Sequence, residues 1–190
     1  MKRLIDLLVA IICLIIFSPL LLICYLAVKL EDGGPAIFKQ ERIGKGGKPF
    51  NIYKFRSLTI DKERDENALF GHERSADMTK TGRFLRDHHL DELPQLWNVA
   101  KGDMAFIGPR PERKYYIDQI MQHDPRYERL YALRPGVTSY ATLHNGYTDT
   151  MEKMLIRLEM DLDYLEHQSL MLDLKILGQT FLYIVFGKKF

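Results

Sequence analysis

Cysteine is nearly absent from this 190-residue chain: Cys13 and Cys24 are the two, and both lie in an apolar N-terminal run. They build neither a disulfide framework nor a metal site, which is compatible with a reducing cytoplasm. An excess of one charge is missing as well, since 27 Lys and Arg meet 25 Asp and Glu for a formal net charge of +2. With no aromatic-basic stripe either, no nucleic-acid partner is expected. There is no internal repeat, no low-complexity tract and no phosphate-loop or dinucleotide glycine spacing. Gly44-Lys45-Gly46-Gly47-Lys48 therefore reads as a flexible hairpin turn. His88 and His89 have no supporting His or Cys nearby in the sequence and read as ordinary histidines rather than metal ligands.

What is present first is a long apolar run. From Leu4 to Ala27 the only charge is Asp6, and a straight helix of that length would reach roughly 36 Å against a hydrocarbon core of about 30 Å. Pro19 interrupts it, because proline removes a hydrogen bond and clashes with the carbonyl four residues back, here Ile15. The Ser18-Pro19 step should kink the helix, with the Ser18 hydroxyl available to the loosened backbone. Lys2 and Arg3 precede the run, while Lys29, Lys39, Arg42, Lys45 and Lys48 follow it. Positive charge on both flanks favours both ends on the cytoplasmic face, and so a re-entrant hairpin over a spanning helix. A cleaved signal peptide is disfavoured because no small-x-small site follows.

The remaining residues, at 46% hydrophobic and 27% charged overall, suffice for one core. The expected architecture is α+β and helix-rich: residues 1–30 as the membrane helix, and 31–190 as one domain with a small β-hairpin and interfacial amphipathic helices. Ala36 to Ile43 and Phe50 to Leu58 read as strands around the glycine turn. On a strand Lys54 and Arg56 share a face about 7 Å apart, a separation suited to adjacent phosphates. Asp61 to Glu73 is polar and reads as a surface loop or frayed helix. Thr79 to His89 reads as a short helix with Arg83 and Arg86 on one side. Met104 to Ile107 is short enough for a buried strand, Glu112 to His123 and Pro125 to Leu133 read as helices, and an extended segment follows from Arg134 through His144. Thr150 to His167 is amphipathic, with apolar residues at 151, 154, 155, 158, 162 and 165. Leu170 to Phe186, ending in Lys188-Lys189, fits a helix in the bilayer interface as well as one packed in the core.

Asp91 and Glu92 stand side by side before Leu93-Pro94, at the start of a helix over Gln95 to Ala100 that Gly102 ends. Asp91 suits the N-cap and Glu92 the first turn. The same geometry keeps a carboxylate ionised and suits phosphate and divalent-metal chemistry, an ionised Asp being able to attack phosphorus. Downstream, Pro109 and Pro111 hold Arg110 between them in an extended backbone, which suits a bidentate phosphate grip.

The Ser18-Pro19 break, FKQERIGKGGKPFNIYKFRSL from Phe38, DELPQLWNVAKGDMAFIGPRP from Asp91 and LRPGVTSY from Leu133 together resemble the small monotopic phosphoglycosyl transferases, the bacterial sugar transferases that start glycoconjugate assembly. The resemblance covers almost the whole chain. It implies transfer of a phosphosugar from a UDP-sugar donor to a polyprenol phosphate acceptor at the cytoplasmic leaflet of the bacterial inner membrane, with Mg2+. It implies that Asp91 attacks the sugar-linked phosphorus and expels UMP, and that Glu92 helps hold the metal. Lys54, Arg56, Arg86 and Arg110 are then the expected phosphate or nucleotide contacts, with Arg83 and Arg134 as further candidates. Relatives often continue Arg-Pro-Gly with Gly-Trp-Ala-Gln-Val-Asn-Gly-Arg, whereas this chain runs from Ser139 to Tyr147 without that arginine. Tyr147 or His144 is the candidate replacement. A homodimer is left open, and the competing function is a membrane-anchored nucleotide-sugar-binding or scaffold protein without turnover.

Overall fold

The computed structural model describes residues 2–59, 77–146 and 148–186. The expectations for 61–73, Tyr147, Lys188 and Lys189 lie outside the described residues. Helix α1 (Lys2–Ile16) meets α2 (Ser18–Asp32) at a bend of 64°. Pro19 is the cause: it has no N–H for the Ile15 carbonyl, and the Ser18 hydroxyl donates to that oxygen instead at 2.8 Å. Among the described residues no single helix is long and apolar enough to cross a membrane, although the bent pair passes that test together. Leu4, Leu8, Ile12, Ile15, Ile23 and Leu30 all lie exposed along it. Gly33, in the left-handed region at φ 75°, ends α2.

The rest is helix-rich α+β. Strands β1 (Ile37–Ile43) and β2 (Pro49–Phe55) pair antiparallel from Ile37↔Phe55 to Ile43↔Pro49. Their connection uses Gly46 and Gly47, both at φ 70°, a conformation cheap only for glycine. Helix α3 (Lys80–Asp87) is capped by Thr79, whose hydroxyl accepts from Gly82 N at 2.9 Å. Gly82 itself lies against Ser57, where a Cβ would come within 2.2 Å of the Ser57 carbonyl oxygen. That close approach fixes α3 on the end of the hairpin.

A 3₁₀ turn (Leu90–Glu92) leads into α4 (Gln95–Lys101), which Gly102 ends at φ 97°. Strand β3 (Ala105–Ile107) pairs in parallel with β4 (Gly136–Thr138), through a crossover made of α5 (Lys114–His123) and a 3₁₀ stretch (Pro125–Ala132). The extended segment expected to reach His144 stops at β4. Ser139 then caps α6 (Tyr140–Asn145), accepting from Thr142 N at 2.9 Å, so a local side-chain acceptor starts a helix where the Pro-Gly step had suggested continued extension.

Helix α7 (Met151–His167) lays Met154, Leu158 and Leu162 against Tyr116, Ile117 and Ile120 of α5, forming the largest core. A second core joins Cys24 and Val28 of α2 to Phe55 and Leu85, and a third joins Ala10 of α1 to Ile52, Val99 and Met104. Helix α8 (Leu170–Val185) buries Ile176 but exposes Leu170, Met171, Leu174 and Phe181.

Candidate active site

Three elements converge on one cleft. The turn Leu90–Glu92 brings Asp91 and Glu92, β2 brings Lys54, and the Pro109-Arg110-Pro111 turn after β3 brings Arg110. The cleft is lined by Arg42, Lys54, Glu92, Gln95, Arg110 and Thr142 among others. Lys54 Nζ pairs directly with Glu92 Oε1. Asp91 is buried beside the cleft, 7% exposed, rather than lining it.

Asp91 is not the side-chain cap expected of it. No side chain caps α4, and both acids sit one turn earlier, in the 3₁₀ segment. Chain direction into that segment is reversed by His89, held at φ 55° and ψ 17°, an unusual setting for a residue with a Cβ.

The two carboxyls are driven apart. Burial pushes Asp91 above its ordinary value and the Glu92 charge adds to the push, with Lys54, Arg86 and His89 opposing. Burial would raise Glu92 too, but Lys54 and Arg110 outweigh it and hold that carboxyl down at about 2. A pair split in this way has one firmly ionised member and one more basic, more nucleophilic member. Two adjacent carboxylates are also a complement that Mg2+ takes, one or two carboxylates together with substrate oxygens. Among the described residues no group of three or more His, Cys, Asp or Glu forms a fuller cage.

The expected arginines divide. Arg110 lines the cleft and Arg86 acts electrostatically on Asp91. Arg56 is placed elsewhere: at 2% exposure it grips Asp32 with both terminal nitrogens and donates to Pro35 O at 2.8 Å and Leu58 O at 3.0 Å. Strand β2 ends at Phe55, so the shared face assumed for Lys54 and Arg56 is lost, and Arg56 becomes a clamp between the end of α2 and the hairpin. Arg134 is likewise structural, donating from Nε to Gly102 O at 3.0 Å, while Arg3 donates to Val99 O at 2.5 Å and Ala100 O at 2.8 Å. Two arginines thus close the C-terminal carbonyls of α4, where the helix dipole favours cations. Arg83 is exposed on α3, and His144 is exposed and stacks on Tyr140 at 4.3 Å. His88 bonds Phe84 O at 2.8 Å, in keeping with an ordinary histidine.

Sequence reasoning missed Arg42, Gln95 and Thr142 in the cleft, and behind it Glu112, Arg157 and Asp161. The last two had a visible signal: 157 and 161 fall within the apolar stripe of α7, where an arginine and an aspartate must be buried.

The family model described as bacterial sugar transferase matches residues 1–187. The chain is 40% identical over 186 residues to UDP-N-acetylgalactosamine-undecaprenyl-phosphate N-acetylgalactosaminephosphotransferase of Aeromonas hydrophila, covering 98% of this chain and 44% of that protein. Two proteins called UDP-glucose:undecaprenyl-phosphate glucose-1-phosphate transferase are each 42% identical to it. That of Klebsiella pneumoniae aligns over 181 residues, 94% of this chain and 39% of its own length, and that of Caulobacter vibrioides over 183 residues, 94% and 67%. The chain therefore spans less than half the length of two of these relatives.

Proposed function

We propose that this chain, which belongs to the bacterial sugar transferase family, transfers a sugar phosphate from a UDP-sugar to undecaprenyl phosphate and so initiates glycan synthesis. The names of its relatives support the donor and acceptor classes. The observation that carries the reading is the split carboxyl pair, Asp91 and Glu92, set beside a cleft that also holds Lys54 and Arg110.

In this mechanism Lys54 and Arg110 meet the donor diphosphate and offset its charge, which an anionic nucleophile requires. Arg86 lies toward the Asp91 side. The Leu90–Glu92 turn holds Asp91 beside the cleft, and its carboxylate oxygen attacks the sugar-linked phosphorus. The bond to the UMP oxygen breaks and UMP leaves, with the phosphosugar held on Asp91. A phosphate oxygen of undecaprenyl phosphate then attacks the same phosphorus, the bond to Asp91 breaks, and a polyprenol diphosphate sugar is released. Splitting the transfer lets a soluble donor and a lipid acceptor use one site in turn. Asp91 and Glu92 would hold Mg2+, which when bound supplies further charge neutralisation at the diphosphate.

The bent α1–α2 pair dips into the cytoplasmic leaflet of the bacterial inner membrane and returns, with residues 31–190 as the catalytic domain on its surface. The 64° bend and the exposed apolar face support this placement, since such a face is unfavourable in water. Labelling a cysteine placed beside Met1, in a chain lacking Cys13 and Cys24, tests it; labelling from the periplasm contradicts re-entry. For the activity, wild-type protein with Mg2+ and undecaprenyl phosphate should release UMP from at least one of a panel of UDP-sugars. No release across the panel contradicts the transferase reading.

A further inference from the structure

Directly behind the Pro109-Arg110-Pro111 turn lies a row of alternating buried charges that the proposed mechanism does not use. Glu112 follows the turn, and its carboxylate lies between two arginines from different elements: Arg157 Nη1 of α7 at 3.0 Å from Oε1, and Arg42 Nη1 of β1 at 3.6 Å from Oε2. The side chains of Arg42, Glu112 and Arg157 are only 17%, 14% and 9% exposed. Arg42 also donates to Pro111 O at 3.0 Å, and Ile43 N donates to Glu112 O at 3.0 Å, so the end of β1 is stitched to the turn on both sides of Glu112. Arg157 reaches on to Gly146 O at 3.3 Å. One helical turn along α7, Asp161 is 3% exposed.

Arg110 is a neighbour of this row. It lines the cleft on one side, and on the other a narrow crevice shared with Glu112, Tyr127, Arg157 and Asp161. The charge of Arg110 acts against both Arg42 and Arg157: burial first, then these like charges, hold the two guanidiniums below their ordinary values, with Glu112 pulling the other way. Three arginines therefore share one small space. Anions facing them include Glu112, Asp161 and, on the cleft side of Arg110, Glu92; burial pushes Asp161 up to about 7, so near neutral pH its charge is incomplete. Glu112 makes contact with two of the arginines.

We propose that Glu112 is a positioning residue for Arg110: by gathering Arg42 and Arg157 on one carboxylate, it fixes the Pro-Arg-Pro turn and balances the charge that would otherwise drive Arg110 away from the cleft. Glu112 acts through Arg110 and touches no substrate. The proposal rests on the reading of Arg110 as a grip on the donor diphosphate.

The test is a double-mutant cycle on the full chain in lipid nanodiscs, reading donor KM and kcat by UMP release together with the melting temperature. Glu112→Gln keeps the volume and should raise donor KM about tenfold with kcat within about twofold, as loss of uniform substrate binding does. Glu112→Asp should recover part of that loss. Arg110→Ala should raise donor KM by a similar factor, and adding Glu112→Gln to it should change little, because both act through one group. Losses that multiply overturn the proposal, as does a neutral Glu112→Gln beside a damaging Arg110→Ala. An Arg110→Ala that leaves donor KM unchanged refutes the phosphate grip itself, and the Glu112 role falls with it. If Glu112→Gln does not fold, Arg42→Lys keeps the charge but loses the fork, and the same cycle with Arg110→Ala must again be non-additive.

Discussion

Replacing Arg56 by methionine separates a clamp from a phosphate contact. The Arg56→Met change keeps most of the stem and removes a guanidinium that is 2% exposed and bonded to Asp32, Pro35 O and Leu58 O. Breaking a buried ion pair by removing one partner costs about 3–5 kcal/mol. The Asp32 side chain remains 25% exposed, so water compensates it in part, while the two carbonyls, next to Ala36 at 2% exposure and Leu58 at 8%, are less easily rehydrated. A loss of about 2–4 kcal/mol follows, equivalent to roughly 5–15 °C in melting temperature for a chain of this size. Thermal unfolding in detergent, with UMP release assayed well below the transition, should show that drop together with kcat/KM within about threefold of wild type. An unchanged melting temperature with donor kcat/KM down about a hundredfold would refute the clamp and restore the phosphate contact.

Asp161 is expected to shape the response to pH. Burial, with Glu112 adding and Arg157 opposing, raises its carboxyl from 3.8 to about 7. The folded state thus holds this proton more tightly than the unfolded state, and stability falls as pH rises from about 4 to about 7, by an amount on the order of 2–4 kcal/mol. Asp161→Asn should remove that slope, so its melting temperature should gain on wild type between pH 5 and pH 8; a constant difference contradicts the assignment. In Gly136→Ala the new Cβ would fall 2.2 Å from Gly108 N, breaking the β3–β4 pairing beside Arg110 at a cost of about 3 kcal/mol or more; a denaturation midpoint equal to wild type contradicts this. Arg3→Ala uncovers the Val99 and Ala100 carbonyls and should cost about 1–2 kcal/mol, read by the same denaturation.

Local chemistry made much of the fold legible in the sequence. Ser18-Pro19 announced the bend because a proline's missing N–H and a serine's spare hydroxyl both act within one turn. The hairpin and the end of α4 were equally readable, because glycine alone adopts positive φ cheaply at Gly46, Gly47 and Gly102. The extended reading from Arg134 through His144 failed beyond β4, where the Ser139 cap outweighed a Pro-Gly signal. At the site, Lys54 and Arg110 were legible from their settings and do line the cleft. The partners of Arg56 and Arg134 were not legible because an arginine's partner is set by tertiary approach: Asp32 lies 24 residues away from the first, and Gly102 lies 32 away from the second. Arg42 was counted as a membrane-flanking charge for the same reason.

The central claim is that Asp91 carries the phosphosugar between donor and acceptor. Intact-mass analysis of the purified chain, incubated with its UDP-sugar and Mg2+ but no undecaprenyl phosphate, tests it most directly. The expected result is an added mass of one phosphosugar, mapped by peptide fragmentation to Asp91, absent from Asp91→Asn and discharged on adding undecaprenyl phosphate. An Asp91→Asn chain that turns over at the wild-type rate, or an adduct mapped to another residue, would contradict it.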